Sequence, residues 1–347
     1  MRKRVKVIEE PLLFDLLHTP SHVFKIEGAM SFTLQGHSRA GERTGYWVKE
    51  LDLHLDAGVG SSKSPSTLFL THCHPDHCTA LPLLIFKASK RVKLFLPETA
   101  VPLISSLLGV YTRLYAGDDD AVADIDQLCT FLPIQHLDVP RVYRAREDAV
   151  NPPRYAPPEE GPWMRFEAER IKLKGQNCLL RFCRCDHRVD SVGYGVSLLK
   201  TTRKKEYEAL DNLQIRDLKR TDPEIEISET KEVGLFLFMG DTTTRVFDDP
   251  QAHWIFSHYP VIIIECTFWK EVAGEEEKAT ERGHIHWNQL KPFVESNPNT
   301  TFVLSHHSLS ASIGQIVDFF RPLRLSFPNV VLWLEPSPVF LSDLESL

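Results

Sequence analysis

No apolar run in this 347-residue chain approaches the roughly 20 residues needed to cross a bilayer, so no contact with a membrane is expected. The basic start, Met1-Arg2-Lys3-Arg4, is followed by neither a long apolar region nor a small-residue cleavage site, and a secretory signal is not expected. Cysteine is sparse: seven residues, an odd number, scattered without the framework of a small disulfide-bonded domain. That usage points to a reducing, intracellular compartment, cytoplasmic or nuclear. Positive charge is not in excess either. Forty Lys and Arg against 47 Asp and Glu leave a formal charge of -7, which argues against a generally basic coat; any nucleic-acid binding must come from local patches. The chain also lacks a visible internal repeat, which disfavours solenoids and propellers.

What is present is concentrated in Thr71-His72-Cys73-His74-Pro75-Asp76-His77-Cys78. Ser66 to Leu70 reads as a buried strand leading into it, and Ala80 to Phe86 as the first turns of a helix leading out. The polar side chains therefore lie on a loop aimed by rigid flanks. Imidazole and carboxylate suit zinc and its borderline-soft relatives. His72 and His74, two apart, can approach one ion, while Asp76 and His77 beyond the bend can reach a second. Cys183-x-Cys185 could bind metal by itself, but it alternates along a strand leading to His187, and packing is the expected role.

Along the chain, Val23–Ile26, Ser31–Leu34 and Gly45–Leu55 read as strands, with residues 36–44 as a glycine-bearing loop containing His37, Arg39 and Arg43. Residues 93–97, 179–183, 191–198, 233–239, 261–264, 301–304 and 330–334 are further strands; 98–108, 275–281 and 313–320 have helical composition. Residues 117–170 carry an acidic run and a proline cluster and read as an insertion with a proline-rich loop, since proline supports neither ladder nor helix. Residues 200–220 are basic and partly helical, with Lys204 and Lys205 as candidate phosphate contacts, although interleaved acids equally suit a solvated face. Strands alternating with helices fit a layered α/β sandwich, here a single domain over 1–347.

Candidate site residues recur just after apolar strands: Asp56, His72 and His74, His187, Asp241, Glu265 and His306. Such recurrence implies one shared sheet edge where loops converge. His187 can complete the coordination begun by His72 and His74. Asp241 has two oxygens with which to bridge two cations. His306 can join Asp76 and His77, with His307 an open rival on spacing alone. Asp56 suits a role orienting the histidine loop through hydrogen bonds. The residues by themselves leave Glu265 as a loop anchor and His284 and His286 as equal alternatives.

The HxHxDH loop resembles the signature of the metallo-β-lactamase superfamily. Together with Leu55-Asp56-Ala57-Gly58, His187 to Tyr194, Gly240-Asp241-Thr242-Thr243, Ile264 to Phe268, Gly283-His284-Ile285-His286 and Leu304 to Ser308, it makes the chain similar to ribonuclease Z, in its short plant-type form. The resemblance implies a four-layer αβ/βα sandwich with two mixed β-sheets face to face and helices outside. It implies two Zn²⁺ ions, one on His72, His74 and His187, the other on Asp76, His77 and His306, with Asp241 between them. It favours His306 over His307, and makes Glu265 and His284 a proton-transfer pair, with Asp76 also in the catalytic set. The implied activity is hydrolysis of a phosphodiester at the 3′ end of precursor tRNA by a metal-bridged hydroxide, in a homodimer. Leu309-Ser310 stands where the family pattern has an arginine, and no glycine-proline arm is present. Hydrolysis of another ester (a cyclic nucleotide, thioester or lactone) and an RNA-binding scaffold without turnover are the alternative readings.

Overall fold

The computed structural model describes residues 20–344 except 62, 123, 136–163 and 250–251. Its strands form two eight-stranded sheets. The first runs β1 (Ser21–Lys25), β2 (Ser31–Ala40), β3 (Arg43–Val48), β4 (Leu53–Leu55), β5 (Thr67–Phe69), β6 (Val92–Pro97) and β7 (Cys129–Ile134). Its first three pairings are antiparallel and its last three parallel. The second sheet joins β8 (Met164–Leu173), β9 (Gln176–Cys185), β10 (Ser191–Arg203), β11 (Ser228–Phe238), β12 (Val261–Glu265) and β13 (Thr301–Ser305). The short β14 (His307–Ser308) leaves it to pair with β2 of the first sheet, and β15 (Val330–Leu332) and β16 (Val339–Phe340) complete the second.

Period-two alternation sorts the side chains into layers. Phe69 and Phe95 face inward, where they meet Tyr194, Phe236 and Phe238 of the second sheet in a common core. Their neighbours Leu68, Leu70, Leu94 and Leu96 face outward and are covered by α2 (Leu81–Phe86) and α3 (Val101–Ala116). Likewise Leu237, Ile262, Ile264 and Leu304 point away from the sheet interface and pack against α6 (Ala252–His258), α8 (Trp287–Ser296) and α9 (Ile313–Phe320). The result is helices, sheet, sheet, helices, as the resemblance implied.

Two expectations about elements change. Residues 36–40 are strand, not loop: β2 continues to Ala40 and pairs with β3 as far as Arg39↔Arg43, so the turn is only Gly41-Glu42. The alternation was hidden by two small residues, Gly36 and Ser38. The stretch 45–55 is two strands, β3 and β4, joined by a turn. Of the stretch 117–170, the described ends hold a short helix at Ile125–Leu128 and the edge strands β7 and β8; its proline cluster lies outside the described residues. Cys183 and Cys185 are buried free thiols beside Gly193, whose missing side chain leaves room for the Cys183 sulfur.

Candidate metal centre

Parallel pairing aligns the carboxyl ends of β4 and β5 in the first sheet and of β11, β12 and β13 in the second, and the loops that follow them carry Asp56, His72, Asp241, Glu265 and His306. The helical turn Pro75–Cys78 supplies Asp76 and His77, with Pro75 starting it and ending the strand-like path of the loop. Gly58 is required where this turn meets the β4 loop: a Cβ there would lie 1.8 Å from the Asp76 carbonyl oxygen. Asp56 (φ 57°) and His306 (φ 59°) both hold left-handed backbone without being glycine. Such strain is retained where surrounding contacts over-determine the geometry.

The side chains converge as two groups. In the first, His74 Nδ1 lies 3.1 Å from both His72 Nε2 and His187 Nε2. In the second, His306 Nε2 lies 3.3 Å from His77 Nε2 and 3.3 Å from Asp76 Oδ2. Asp241 stands between them with its oxygens divided. Oδ2 is 3.7 Å from His72 Nε2 and 3.9 Å from His187 Nε2, whereas Oδ1 is 3.5 Å from His77 Nε2 and 3.6 Å from His306 Nε2. Tetrahedral Zn–N bonds of 2.0–2.1 Å set ligand atoms about 3.3–3.4 Å apart. The nitrogen spacings here therefore suit a shared cation in each group.

The opposite edge of four of the five rings is tied down, which fixes the nitrogen that faces the centre. His187 Nδ1–H donates to the Gly283 carbonyl at 2.7 Å and His77 Nδ1–H to Asp56 Oδ2 at 2.7 Å. Thr71 spends its hydroxyl proton on Asp56 and accepts from His72 Nδ1 at 3.0 Å. Thr267 does the same service for His306 Nδ1 at 3.1 Å while donating to Glu265 Oε2 at 2.5 Å. With Nδ1 committed in each case, Nε2 is the nitrogen that faces the centre. Gly283 (φ +72°) is needed for the close approach, since a Cβ would sit 2.8 Å from His187 Nδ1.

Burial pushes His187 down to about 3 and His74 down to about 4, and takes His72 well below its ordinary value. These imidazoles are neutral and available as donors at neutral pH. Burial also opposes charge on His77, but the carboxylates of Asp241 and Asp56 outweigh it and favour positive charge at that position.

Glu265 receives four donors. The backbone N–H of Thr242 (2.8 Å) and His284 Nδ1 (2.9 Å) reach Oε1, and the Thr267 hydroxyl and the Ile285 N–H (3.3 Å) reach Oε2. His284 thereby stands 3.9 Å from Asp241 Oδ2, at the rim of the centre. Burial opposes its protonation, yet the Glu265 carboxylate prevails and raises its pKa above the ordinary value. His286 is elsewhere: it caps α8 by accepting the Asn288 N–H at 3.2 Å, and its Nε2 lies 3.1 Å from the Lys270 carbonyl. His307 likewise turns away, bonding the Cys266 carbonyl at 2.9 Å.

Lys204 and Lys205 are not brought to the centre. β10 begins beside it, where the Ser191 hydroxyl reaches the Asp241 carbonyl at 3.3 Å, and Lys204 lies thirteen residues further on. That is roughly 40 Å of extended chain. Lys204 is paired there with Glu226 at 3.5 Å. The sequence reading passed over Thr71, Thr267 and the Gly283 carbonyl, which orient rings without contacting the centre. A hydroxyl adjoining His72, and another two residues beyond Glu265, were the available signals.

No family model matches the chain. Two curated proteins of Arabidopsis thaliana are similar to it over most of its length. One is the chloroplastic tRNase Z TRZ2, 24% identical over 82% of this chain and 70% of that protein; the other is tRNase Z TRZ1, 25% identical over 85% and 90%. Among solved structures, the metallo-β-lactamase fold protein YhfI of Bacillus subtilis aligns with 90% of this chain and 96% of its own at 13% identity and a TM-score of 0.47. With two mixed sheets and the ordered sequence blocks in hand, the similarity to these two curated proteins over most of the chain makes it similar to ribonuclease Z of the metallo-β-lactamase superfamily.

Proposed function

We propose that this protein is a metal-dependent endonuclease that hydrolyses a phosphodiester at the 3′ end of precursor tRNA. The observation that carries the reading is the division of Asp241 between two groups of inward-facing ligand atoms, with the Glu265–His284 pair beside it. The tRNase Z identity of the two Arabidopsis relatives supplies the substrate class. His72, His74 and His187 would hold one divalent cation, Asp76, His77 and His306 a second, and Asp241 would serve both; zinc suits this set of nitrogen and oxygen donors. Bound there, such ions supply Lewis acidity and a water that ionises near neutral pH, at about 7.

The protein's own contribution is positional. Asp56 and Thr71 hold His77 and His72 in the required tautomer, and Thr267 and Gly283 do so for His306 and His187. His284 keeps Nδ1–H on Glu265, so Nε2–H is the proton available to the departing 3′ oxygen as the P–O bond breaks. The carboxylate stabilises the charged imidazole before that transfer. Hydrolysis delivers a tRNA 3′-hydroxyl and a 5′-phosphorylated trailer. A homodimer would let the distant Lys204 and Lys205 of a copy meet the body of an RNA cut elsewhere in the assembly.

The test is metal analysis paired with cleavage of 3′-extended tRNA, alongside a panel of cyclic nucleotide, thioester and lactone substrates. Two metals per chain and a single cut at the 3′ end are expected. Metal-loaded protein that leaves the RNA intact removes the reading; turnover of a small ester would favour the second enzyme class, and RNA binding without turnover the scaffold. His284→Ala should retain both metals and lose most turnover.

A further inference from the structure

The loop that carries His187 continues into Arg188, whose side chain is exposed and makes no hydrogen bond or ion pair with any described residue. Backbone packing, not a partner of its own, fixes where it stands. His187 Nδ1–H donates to the Gly283 carbonyl at 2.7 Å, and a Cβ at Gly283 would meet the Arg188 amide nitrogen at 3.1 Å. Residues 187 and 188 therefore lie directly against the turn that presents His284. The His187 ring has its centroid 4.9 Å from that of His74 and 5.1 Å from that of His284. Arg188 is thus anchored one residue from this trio of rings, with its own charge uncommitted.

That charge is felt at the centre. Burial and then Arg188 oppose protonation of His284, which the Glu265 carboxylate overrides; after burial and His77, Arg188 also holds down the His74 pKa. A cation so placed weakens the proton donor that Glu265 maintains, unless an anion lies between the two. Other cations close by are engaged. Arg245 lies 3.8 Å from Asp186, Lys278 sits over the Phe268 ring at 5.7 Å, and Arg39 donates to the Ser308 and Ala311 carbonyls at 3.0 and 2.7 Å. The loop beyond His306 offers none, since Leu309 and Ser310, both exposed there, are neutral. A guanidinium stays charged at any working pH and has a planar fork that matches two phosphate oxygens. A neutral ester carries no charge to offset the repulsion of His284.

We propose that Arg188 holds the non-bridging oxygens of the scissile phosphate, so that the His187 loop supplies the cation that the loop after His306 lacks. The proposal rests on the phosphodiester hydrolysis of the reading above and deepens it: Arg188 is what makes the site select an anionic diester over a neutral ester. Charge building on those oxygens in the transition state meets a donor already in place.

The test compares the metal-loaded native chain with Arg188→Ala and Arg188→Lys on 3′-extended tRNA and on bis(p-nitrophenyl) phosphate. The small diester has no flanking phosphate, and its nitrophenolate departs without a proton, so its rate does not pass through His284. In Arg188→Ala, kcat/KM should fall roughly 10²-fold on both substrates, the loss that follows removal of one preorganised donor to a developing anion. Arg188→Lys should recover part of it, because an ammonium supplies charge without the fork. Guanidinium ion added below denaturing concentrations should accelerate Arg188→Ala and leave the native rate unchanged. Metal content and melting temperature should stay at native values, the side chain having no described partner to lose. A loss confined to RNA would put Arg188 on a flanking phosphate and overturn the proposal, as would rates within about threefold of native on both substrates. Arg188-dependent hydrolysis of the diester with 3′-extended tRNA left uncut would remove the tRNA reading and uphold this one. Native protein that cleaves neither substrate overturns both.

Discussion

Replacing Glu265 by Gln separates a proton-transfer role from a structural one, because the substitution keeps shape and removes charge. The carboxylate accepts from four donors: the Thr242 and Ile285 N–H groups, the Thr267 hydroxyl and His284 Nδ1. An amide offers one oxygen and one NH2. The least costly arrangement puts NH2 at the Oε2 position, where the Thr267 hydroxyl can turn its proton to the His306 carbonyl, 2.9 Å away. The Ile285 N–H, already long at 3.3 Å, is then the donor left unpaired. One such loss costs about 1–3 kcal/mol, small enough for the fold and both metal groups to persist.

Catalysis should suffer more. His284 loses the anion that raises its pKa, and a positioned general acid contributes about 10²–10⁴-fold to rate. A fall in kcat of roughly 10²-fold or more is expected. The sign on the pH axis follows. The acid is competent below the pKa of His284 and is lost as pH rises through it, so in Glu265→Gln the alkaline fall in kcat moves to lower pH. Single-turnover cleavage of 3′-extended tRNA across neutral pH, with metal content measured on the same samples, reads all three quantities. A variant within about threefold of the native rate, with its alkaline limb unmoved, would refute the proton-transfer argument. Loss of metal would instead show that Glu265 supports the cation site.

Asp56→Asn should weaken metal binding by about 10–100-fold, since it removes the charged acceptor of His77 Nδ1–H; chelator competition measures it, and unchanged affinity would detach Asp56 from the centre. His54 is fully buried with both ring nitrogens unpartnered, and burial pushes its pKa down to about 3. The unfolded chain takes up that proton near pH 6.5, so stability falls as pH drops from there towards 3. By pH 5 the loss is about 2 kcal/mol, and His54→Leu should abolish that share of the acid sensitivity in urea titrations at the two pH values. Neutralising Lys204 and Lys205 together should weaken RNA binding and flatten its dependence on salt; an unchanged slope returns them to a solvated surface.

The metal loop was legible because its residues are adjacent in the chain and their chemistry depends on spacing alone. The strands that lead to Asp56, Asp241, Glu265 and His306 were legible too, since an apolar run followed by a turn declares itself locally. What the chain order leaves open is the direction in which a side chain faces. His306 enters the centre and His307 leaves it because a left-handed backbone at His306 reverses the ordinary alternation and lets His307 pair with β2. His284 faces Glu265 while His286 caps α8, a choice made by the Gly283 turn and the start of that helix. Packing alone assigns the two oxygens of Asp241 to different groups. Residue type and local spacing thus determine which chemistry is available, whereas backbone hydrogen bonding between distant strands decides which atoms share it.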